Sequence, residues 1–174
     1  IDLFNTKKIL DVGGGSAAFS MEMVKRNPSI EAVVLDLPHV IPLTKKYVEQ
    51  AGLLDNFSFI EGDYHKKDFD NGYDLILLSA IVHINSYEQN KILVKKCVDA
   101  LNPNGMLIIS DFIMNENRTE PYHGALFALN MLVGTANGDT YTESEIRAWF
   151  ESAGLNNIER KNTSFGSDLM IGIK

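Results

Sequence analysis

Three consecutive glycines stand between an apolar run and a helix-forming stretch in Ile9-Leu10-Asp11-Val12-Gly13-Gly14-Gly15-Ser16-Ala17-Ala18. Glycine lets a backbone turn sharply and approach a ligand closely. A helix that starts behind such a turn offers unpaired N–H groups at its positive dipole end. This is the chemistry of a nucleotide cradle at a βα turn. Gly13, Gly15 and Ala18 fit the G-x-G-x-x-A dinucleotide spacing. Asp36, 23 residues beyond Gly13, ends a second apolar run, where an acid would bond ribose hydroxyls. Asp63, in Gly62-Asp63-Tyr64, is an acid after a third run, placed to accept from an adenine amino group. NAD and other adenosine ligands fit these residues alike. Asp11 separates them, because a carboxylate beside the loop repels a pyrophosphate and suits a positively charged ligand. S-adenosylmethionine has no phosphate and carries a sulfonium and an α-ammonium.

These residues need strands and helices in alternation to bring them together, and the chain supplies that order. Strands are predicted over Lys7 to Val12, Ile30 to Asp36, Phe57 to Glu61, within Tyr73 to Val82, and over Met106 to Phe112. Helices are predicted over Ala17 to Arg26, Val40 to Ala51 and Tyr87 to Leu101, with a turn at Asn102-Pro103-Asn104-Gly105. Crossover helices between strands imply a parallel sheet covered on both faces. The tail differs. Thr142-Glu143-Ser144-Glu145 is a capping-box pattern that opens a helix to about Ser152. Ile158 to Phe165 and Asp168 to Lys174 read as a closing hairpin about Gly166. The expected fold is a Rossmann-like doubly wound α/β sheet of seven strands, mostly parallel, with a C-terminal antiparallel hairpin.

The 174 residues fit one domain with a sizeable core, and 45% apolar with 22% charged residues describe a globular chain. A net charge of −7 argues against nucleic acid or an anionic membrane as partner. No apolar run is long enough to span a bilayer. The lone Cys97 sits in an apolar helical pattern and reads as a core residue of a cytoplasmic protein. His39, His65 and His123 read as structural or solvent-facing, and no cluster has metal-ligand spacing.

The chain resembles the catalytic domain of class I S-adenosylmethionine-dependent O-methyltransferases, the group with plant phenolic, hydroxyindole and bacterial polyketide enzymes. The resemblance rests on LDVGGG (Leu10 to Gly15), LDLPHV (Leu35 to Val40), Gly62-Asp63, Ile81-Val82-His83, NGMLIISD (Asn104 to Asp111) and Leu129 to Leu155 with its YTESE. It implies that Gly13, Gly14 and Gly15 hold the methionine part of the cofactor near Asp11. Asp36 would bind the ribose, and Leu37, Gly62, Asp63 and Tyr64 would surround the adenine, with Ser79 also in the cofactor set. His83 would be the catalytic base, oriented by Asp111 and Glu143. Phe127, Asn130 and Met131, on the apolar run Gly124 to Ala136, would line the acceptor pocket.

The resemblance further implies methyl transfer to a hydroxyl of a small aromatic or polyketide-like acceptor, S-adenosyl-L-homocysteine as product, and no metal. Ile84 and Asn85 stand where many members have an acid or amide and then tryptophan, and Ser79 where plant members often carry lysine. Asp111 is one methylene shorter than the usual glutamate. A cofactor-binding relative without methyl transfer, and an NAD-dependent oxidoreductase, are the alternatives to this reading. The chain begins at Ile1. The resemblance implies an N-terminal dimerisation domain ahead of it, absent from residues 1–174, and a homodimeric full-length protein. This chain alone is expected to bind the cofactor and to leave the acceptor site open.

Overall fold

The computed structural model describes residues 1–164 and 166–174. Its first half runs β1 (Lys8–Val12), α1 (Ala18–Arg26), β2 (Glu31–Asp36), α2 (Ile41–Gln50), β3 (Phe57–Glu61), β4 (Tyr73–Ser79), α3 (Tyr87–Ala100) and β5 (Leu101–Asp111). There follow β6 (Ile113–Met114), α4 (Tyr122–Gly134), β7 (Tyr141–Thr142), α5 (Glu143–Ala153), β8 (Asn156–Lys161) and β9 (Asp168–Ile173).

Seven strands form one sheet in the order β3-β2-β1-β4-β5-β9-β8. β1 to β5 are parallel, β9 is antiparallel to β5, and β8 is antiparallel to β9. Successive side chains of a strand face opposite sides, and here both sides are buried. Leu10, Val12, Ile76, Leu78, Leu107 and Ile109 pack with Val94 of α3 and Trp149 and Phe150 of α5. Ile9, Leu75, Leu77 and Ile108 face the other way with Val24 of α1, and Val34 packs with Val48 of α2. Two covered faces are why these strands read as continuous apolar runs. Cys97 is fully buried in the first of these clusters, and burial pushes its thiol well above the usual range.

β1 lies between β2 and β4, so the sheet reverses its winding there. Ligands of open α/β sheets bind beyond the carboxyl ends of the strands at such a reversal. The pairs Val12↔Leu35, Val12↔Leu78, Asp36↔Glu61 and Ser79↔Ser110 bring the ends of β1 to β5 to one edge. The candidate residues at 13–15, 36, 62–64, 83 and 111 therefore share that edge.

Three details differ from the expectation. The turn at 102–105 lies inside β5 as an irregularity, since Leu101 pairs with Tyr73 and Met106 with Leu75. The short parallel pair β6–β7 was not foreseen, because two residues per strand carry no readable period. β8 starts and ends earlier than the Ile158 to Phe165 expectation, whose last residue lies outside the described residues. Arg160 grips Asp168 at 2.7 and 3.0 Å, and Thr163 N–H donates to Asp168 at 3.1 Å, closing a wider connection than a tight turn about Gly166. Among the described residues no helix is long and apolar enough to cross a membrane.

Candidate active site

The glycine turn is built on β1 and β2. Gly13 N–H donates to Leu35 O at 2.7 Å and adopts φ 65°. A Cβ on Gly14 would come within 2.8 Å of the Asp11 carboxyl carbon and of Val34, so only glycine lets the loop lie this close over them. Gly15 N–H donates to Asp36 Oδ2 at 2.8 Å, and Thr44 Oγ1 donates to Gly15 O at 2.5 Å. α1 starts behind the turn with no side-chain cap, so its first amides stay available for a ligand.

Asp11 is 3% exposed beneath this loop and accepts from Ser20 Oγ at 2.7 Å. Burial pushes its pKa up to about 6, Ser20 opposes the rise and Asp36 adds to it. An acid with so little compensation is poised for a cationic partner. Asp36 accepts from Gly15 N–H and, at 2.7 Å, from Leu37 N–H. Each carboxylate oxygen keeps a second lone pair for a hydroxyl donor. Leu37 is exposed beside it.

Gly62 follows β3, and its N–H donates to Asp36 O at 2.9 Å, tying the third loop to the second. Asp63 accepts from His65 N–H at 2.9 Å and lies 3.7 Å from Lys66 Nζ. Tyr64 is half-buried and donates its hydroxyl to Asn85 Oδ1 at 3.1 Å. Burial holds its phenol above the ordinary range, against the Asn85 bond. Ser79 ends β4, half-buried, opposite Ser110.

His83 sits in a short 3-10 turn, Val82–Ile84, just beyond β4. Its Nδ1 lies 3.0 and 2.9 Å from the two oxygens of Asp111, at the end of the neighbouring β5. A shorter side chain than glutamate thus reaches the histidine. Asp111 also accepts from Phe112 N–H at 2.8 Å. A carboxylate only accepts, so Nδ1 is the donor, and in the neutral imidazole that leaves the lone pair on Nε2. Nε2 has no protein partner among the described residues. The His83 ring meets Phe127 of α4 edge-on at 4.8 Å, and Phe127 meets Phe112 at 4.9 Å. Met131, one turn further along α4, is half-buried, whereas Asn130 is exposed.

Glu143 corrects the expectation that two acids flank His83. It is the first residue of α5, and its oxygens lie 3.0 Å from Arg147 Nη2 and 3.5 Å from Arg160 Nη1. Its chain segment does meet the histidine, but earlier. Asp139 N–H donates to His83 O at 3.1 Å, and a Cβ on Gly138 would lie 2.3 Å from that same oxygen. By Thr142 the chain has entered the capping box of α5. His65, read as structural or solvent-facing, is exposed and bonds Asn85 through Nε2 at 2.9 Å.

Ser20, Thr44 and Phe112 were not singled out from sequence, and Asn85 was noted only as a departure from the family pattern. Ser20 and Thr44 are polar residues on the buried faces of amphipathic helices, a signal that a helical projection contains. Asn85 lies two residues after His83 and just before the readable Ser86–Gln89 capping box.

The donors and acceptors around the turn are three carboxylates and a row of backbone amides, with glycine where a Cβ would fill the cradle. That set fits a ligand with a cationic end and hydroxyls, as S-adenosylmethionine has, better than a pyrophosphate. Comparison with known proteins agrees. The model of the O-methyltransferase domain family matches residues 1–156. The chain is 34% identical over 158 residues to 3-hydroxy-5-methyl-1-naphthoate 3-O-methyltransferase of Streptomyces sahachiroi, covering 91% of this chain and 46% of that protein. It is 34% identical over 165 residues to L-tyrosine C(3)-methyltransferase of Streptomyces lavendulae, covering 91% and 45%. An O-methyltransferase family 2 protein from Planctomyces limnophilus, crystallised with apigenin, superposes with TM-score 0.91 at 29% identity, covering 100% of this chain and 53% of that one. Human N-acetylserotonin methyltransferase, in complex with SAM, superposes with TM-score 0.89 at 26% identity, covering 100% and 49%. The chain therefore spans about half the length of the proteins it matches.

Proposed function

The chain belongs to the O-methyltransferase domain family, and on that premise we propose that it binds S-adenosylmethionine and methylates a hydroxyl of a small aromatic or polyketide-like acceptor. The observation that carries this reading is the His83–Asp111 pair, set beyond β4 and β5 and across the sheet's reversal point from the glycine turn. The dinucleotide alternative gives way to the family result.

The residues have separable tasks. Gly13, Gly14 and Gly15 let the methionine end approach the backbone, with Asp11 beneath as the countercharge. Asp36 accepts from the ribose hydroxyls, while Leu37, Gly62, Asp63 and Tyr64 border the adenine and Ser79 closes the β4 side. When bound, the cofactor supplies a methyl carbon activated by its sulfonium. What remains for the protein is alignment and removal of a proton from the acceptor. A phenol titrates near ~10, so about one part in a thousand is ionised at neutral pH. His83 Nε2 takes that proton, and Asp111 holds the tautomer and stabilises the imidazolium that forms. Phe127, flanked by Phe112, offers an aromatic wall beside the base, and Met131 an adaptable one. Asn130, exposed on the same helix, would contact the acceptor from the solvent side.

The relatives support an aromatic acceptor: both 3-hydroxy-5-methyl-1-naphthoate and tyrosine carry an aromatic hydroxyl. The tyrosine enzyme is named for methylation at C(3), a carbon, and this chain is as identical to it as to the oxygen methylator, at 34%. A base at the phenol serves both outcomes, because the phenolate delocalises its charge to oxygen and to the adjacent ring carbon.

The test uses the full-length protein. Radiolabelled methyl transfer from S-adenosylmethionine to a panel of hydroxylated aromatics should give labelled product, and calorimetry should show S-adenosylhomocysteine bound and NAD not. Binding of NAD in preference would overturn the reading. Cofactor binding without turnover on any acceptor would favour a binding protein instead.

A further inference from the structure

The turn that carries His83 is joined to the adenosine side of the site through one side chain, Asn85. It is 2% exposed and bonded on every side. Asn90 Nδ2 donates to Val82 O at 2.8 Å, so Asn90 Oδ1 is left to accept, and it accepts from Asn85 Nδ2 at 3.0 Å. That fixes the Asn85 amide. Its Oδ1 must face the other way, where it accepts from Tyr64 Oη at 3.1 Å and from His65 Nε2 at 2.9 Å. The backbone takes part as well, since Tyr141 Oη donates to Asn85 O at 2.6 Å. Donor and acceptor identities thus run in one direction, from the Val82 carbonyl beside His83 out to two rings on the cofactor loop.

The loop from Gly62 to Lys67 has a second anchor. Lys96 of α3 donates through Nζ to Tyr64 O at 2.8 Å and to Lys67 O. The backbone of the loop is therefore held by α3 and its ring-bearing side chains by Asn85. The Tyr64 and His65 rings stand 4.5 Å apart at 49°. With its hydroxyl donated to Asn85, Tyr64 has no hydroxyl donor left to read a nucleobase, and on the proposed function that reading falls to Asp63.

We propose that Asn85 is a positioning residue of the methyl-transfer reaction: one amide orients Tyr64 and His65 against the cofactor and braces the Val82–Ile84 turn that aims His83. The inference rests on the function proposed above. It assigns the two ends of the amide different effects. The oxygen end governs cofactor affinity, through Tyr64 and His65. The nitrogen end governs turnover, through Asn90, Val82 and the histidine turn.

The experiment compares full-length wild type with Asn85→Leu, Asn85→Asp and Tyr64→Phe. It measures Kd for S-adenosylhomocysteine by calorimetry and kcat at saturating S-adenosylmethionine. Tyr64→Phe removes one bond to the oxygen end and should raise Kd about three- to ten-fold. Asn85→Leu should raise Kd at least as much and lower kcat as well. Asn85→Asp keeps an acceptor for both rings and loses the donor to Asn90. It should bring Kd back to within about two-fold of wild type while kcat stays low. A role in folding alone would lower the unfolding temperature and leave both constants of the folded protein unchanged, which would overturn the proposal. Should Asn85→Leu fail to fold, an unchanged Kd for Tyr64→Phe would overturn it equally. Wild type that does not bind S-adenosylhomocysteine would overturn the function itself. Wild type that binds, with variants indistinguishable from it, would overturn this inference alone.

Discussion

Both carboxylate oxygens of Asp111 lie within hydrogen-bond distance of His83 Nδ1, at 3.0 and 2.9 Å, with the histidine side chain 12% exposed and the aspartate 3%. The two residues sit beyond adjacent parallel strands whose pairing runs to Ser79↔Ser110, so sheet register places them together. The bond turns Nδ1 toward Asp111 and Nε2 away from it, and Phe127 meets the same ring edge-on.

His83→Ala should lower the methyl-transfer rate by about 10²- to 10⁴-fold, the span of general base catalysis. Asp111→Asn offers an amide to Nδ1 and favours the wrong tautomer, so it should cost a similar factor. Neither side chain bonds to the glycine turn or to Asp36, so Kd for S-adenosylhomocysteine should be retained in both. Single-turnover transfer and calorimetry separate the two quantities. A His83→Ala rate equal to wild type would show that another group, or solvent, takes the proton.

Glu143 should be dispensable for the chemistry, since its carboxylate is engaged by Arg147 and Arg160. Its side chain is 34% exposed, and ion pairs of that kind contribute about 0–1 kcal/mol. Glu143→Gln should turn over at a rate within about two-fold of wild type and unfold at most about 1 kcal/mol more easily. A hundred-fold loss of rate would return the residue to the site.

The sheet and the edge where its candidate residues gather were legible because buried parallel strands declare themselves as apolar runs, and β1, β2, β3 and β5 end in or just before a glycine or an acid. Gly13, Asp36 and Asp63 are legible by position alone, since strand ends of a parallel sheet converge whatever the loops do. Glu143 misled for a local reason. It sits beside Thr142 as the first residue of α5, and its carboxylate goes to Arg147 and Arg160, a pairing that spacing does not record. Asn85 was noticed as a departure from a family pattern, but its role depends on the amide order set by Asn90 and on a loop 20 residues upstream. Such a network is a property of packing and leaves no period in the chain.

Two glycines of the turn should respond differently to alanine. Gly14→Ala meets the Asp11 carboxyl carbon and Val34 at 2.8 Å, inside a packed core where neither yields easily. It should destabilise by about 1–3 kcal/mol, as overpacking does, and disturb the Asp11–Ser20 bond. Gly15→Ala has open space around the new methyl but a φ of +54°, so it should cost about 1–2 kcal/mol of backbone strain. Chemical denaturation of both variants measures the costs. Kd for S-adenosylhomocysteine should suffer more in Gly14→Ala, and the opposite order would mean that the loop, and not the bed beneath it, controls binding.

The buried Asp11 should make both stability and cofactor affinity depend on pH. Its pKa rises from the ordinary 3.8 to about 6 in the folded chain, burial being the largest cause. The folded protein thus holds this proton more tightly than the unfolded chain does. The contribution to stability is complete below the unfolded value and is lost as pH rises through about 6. The loss is about 3 kcal/mol at full ionisation, by the free-energy equivalent of the shift. Asp11→Asn removes the titration, so the variant should gain stability relative to wild type between about pH 4 and pH 7, a difference that cancels the other carboxylates. Binding a cation reverses the preference, because a nearby positive charge favours the ionised acid and expels the proton. Affinity for S-adenosylmethionine should therefore strengthen from about pH 5 to pH 7 in wild type, and be weaker and flat over that range in Asp11→Asn. Calorimetry in buffers of different ionisation enthalpy counts the proton released. A wild-type affinity that does not change across this range would mean that Asp11 senses no charge on the ligand and serves the turn alone.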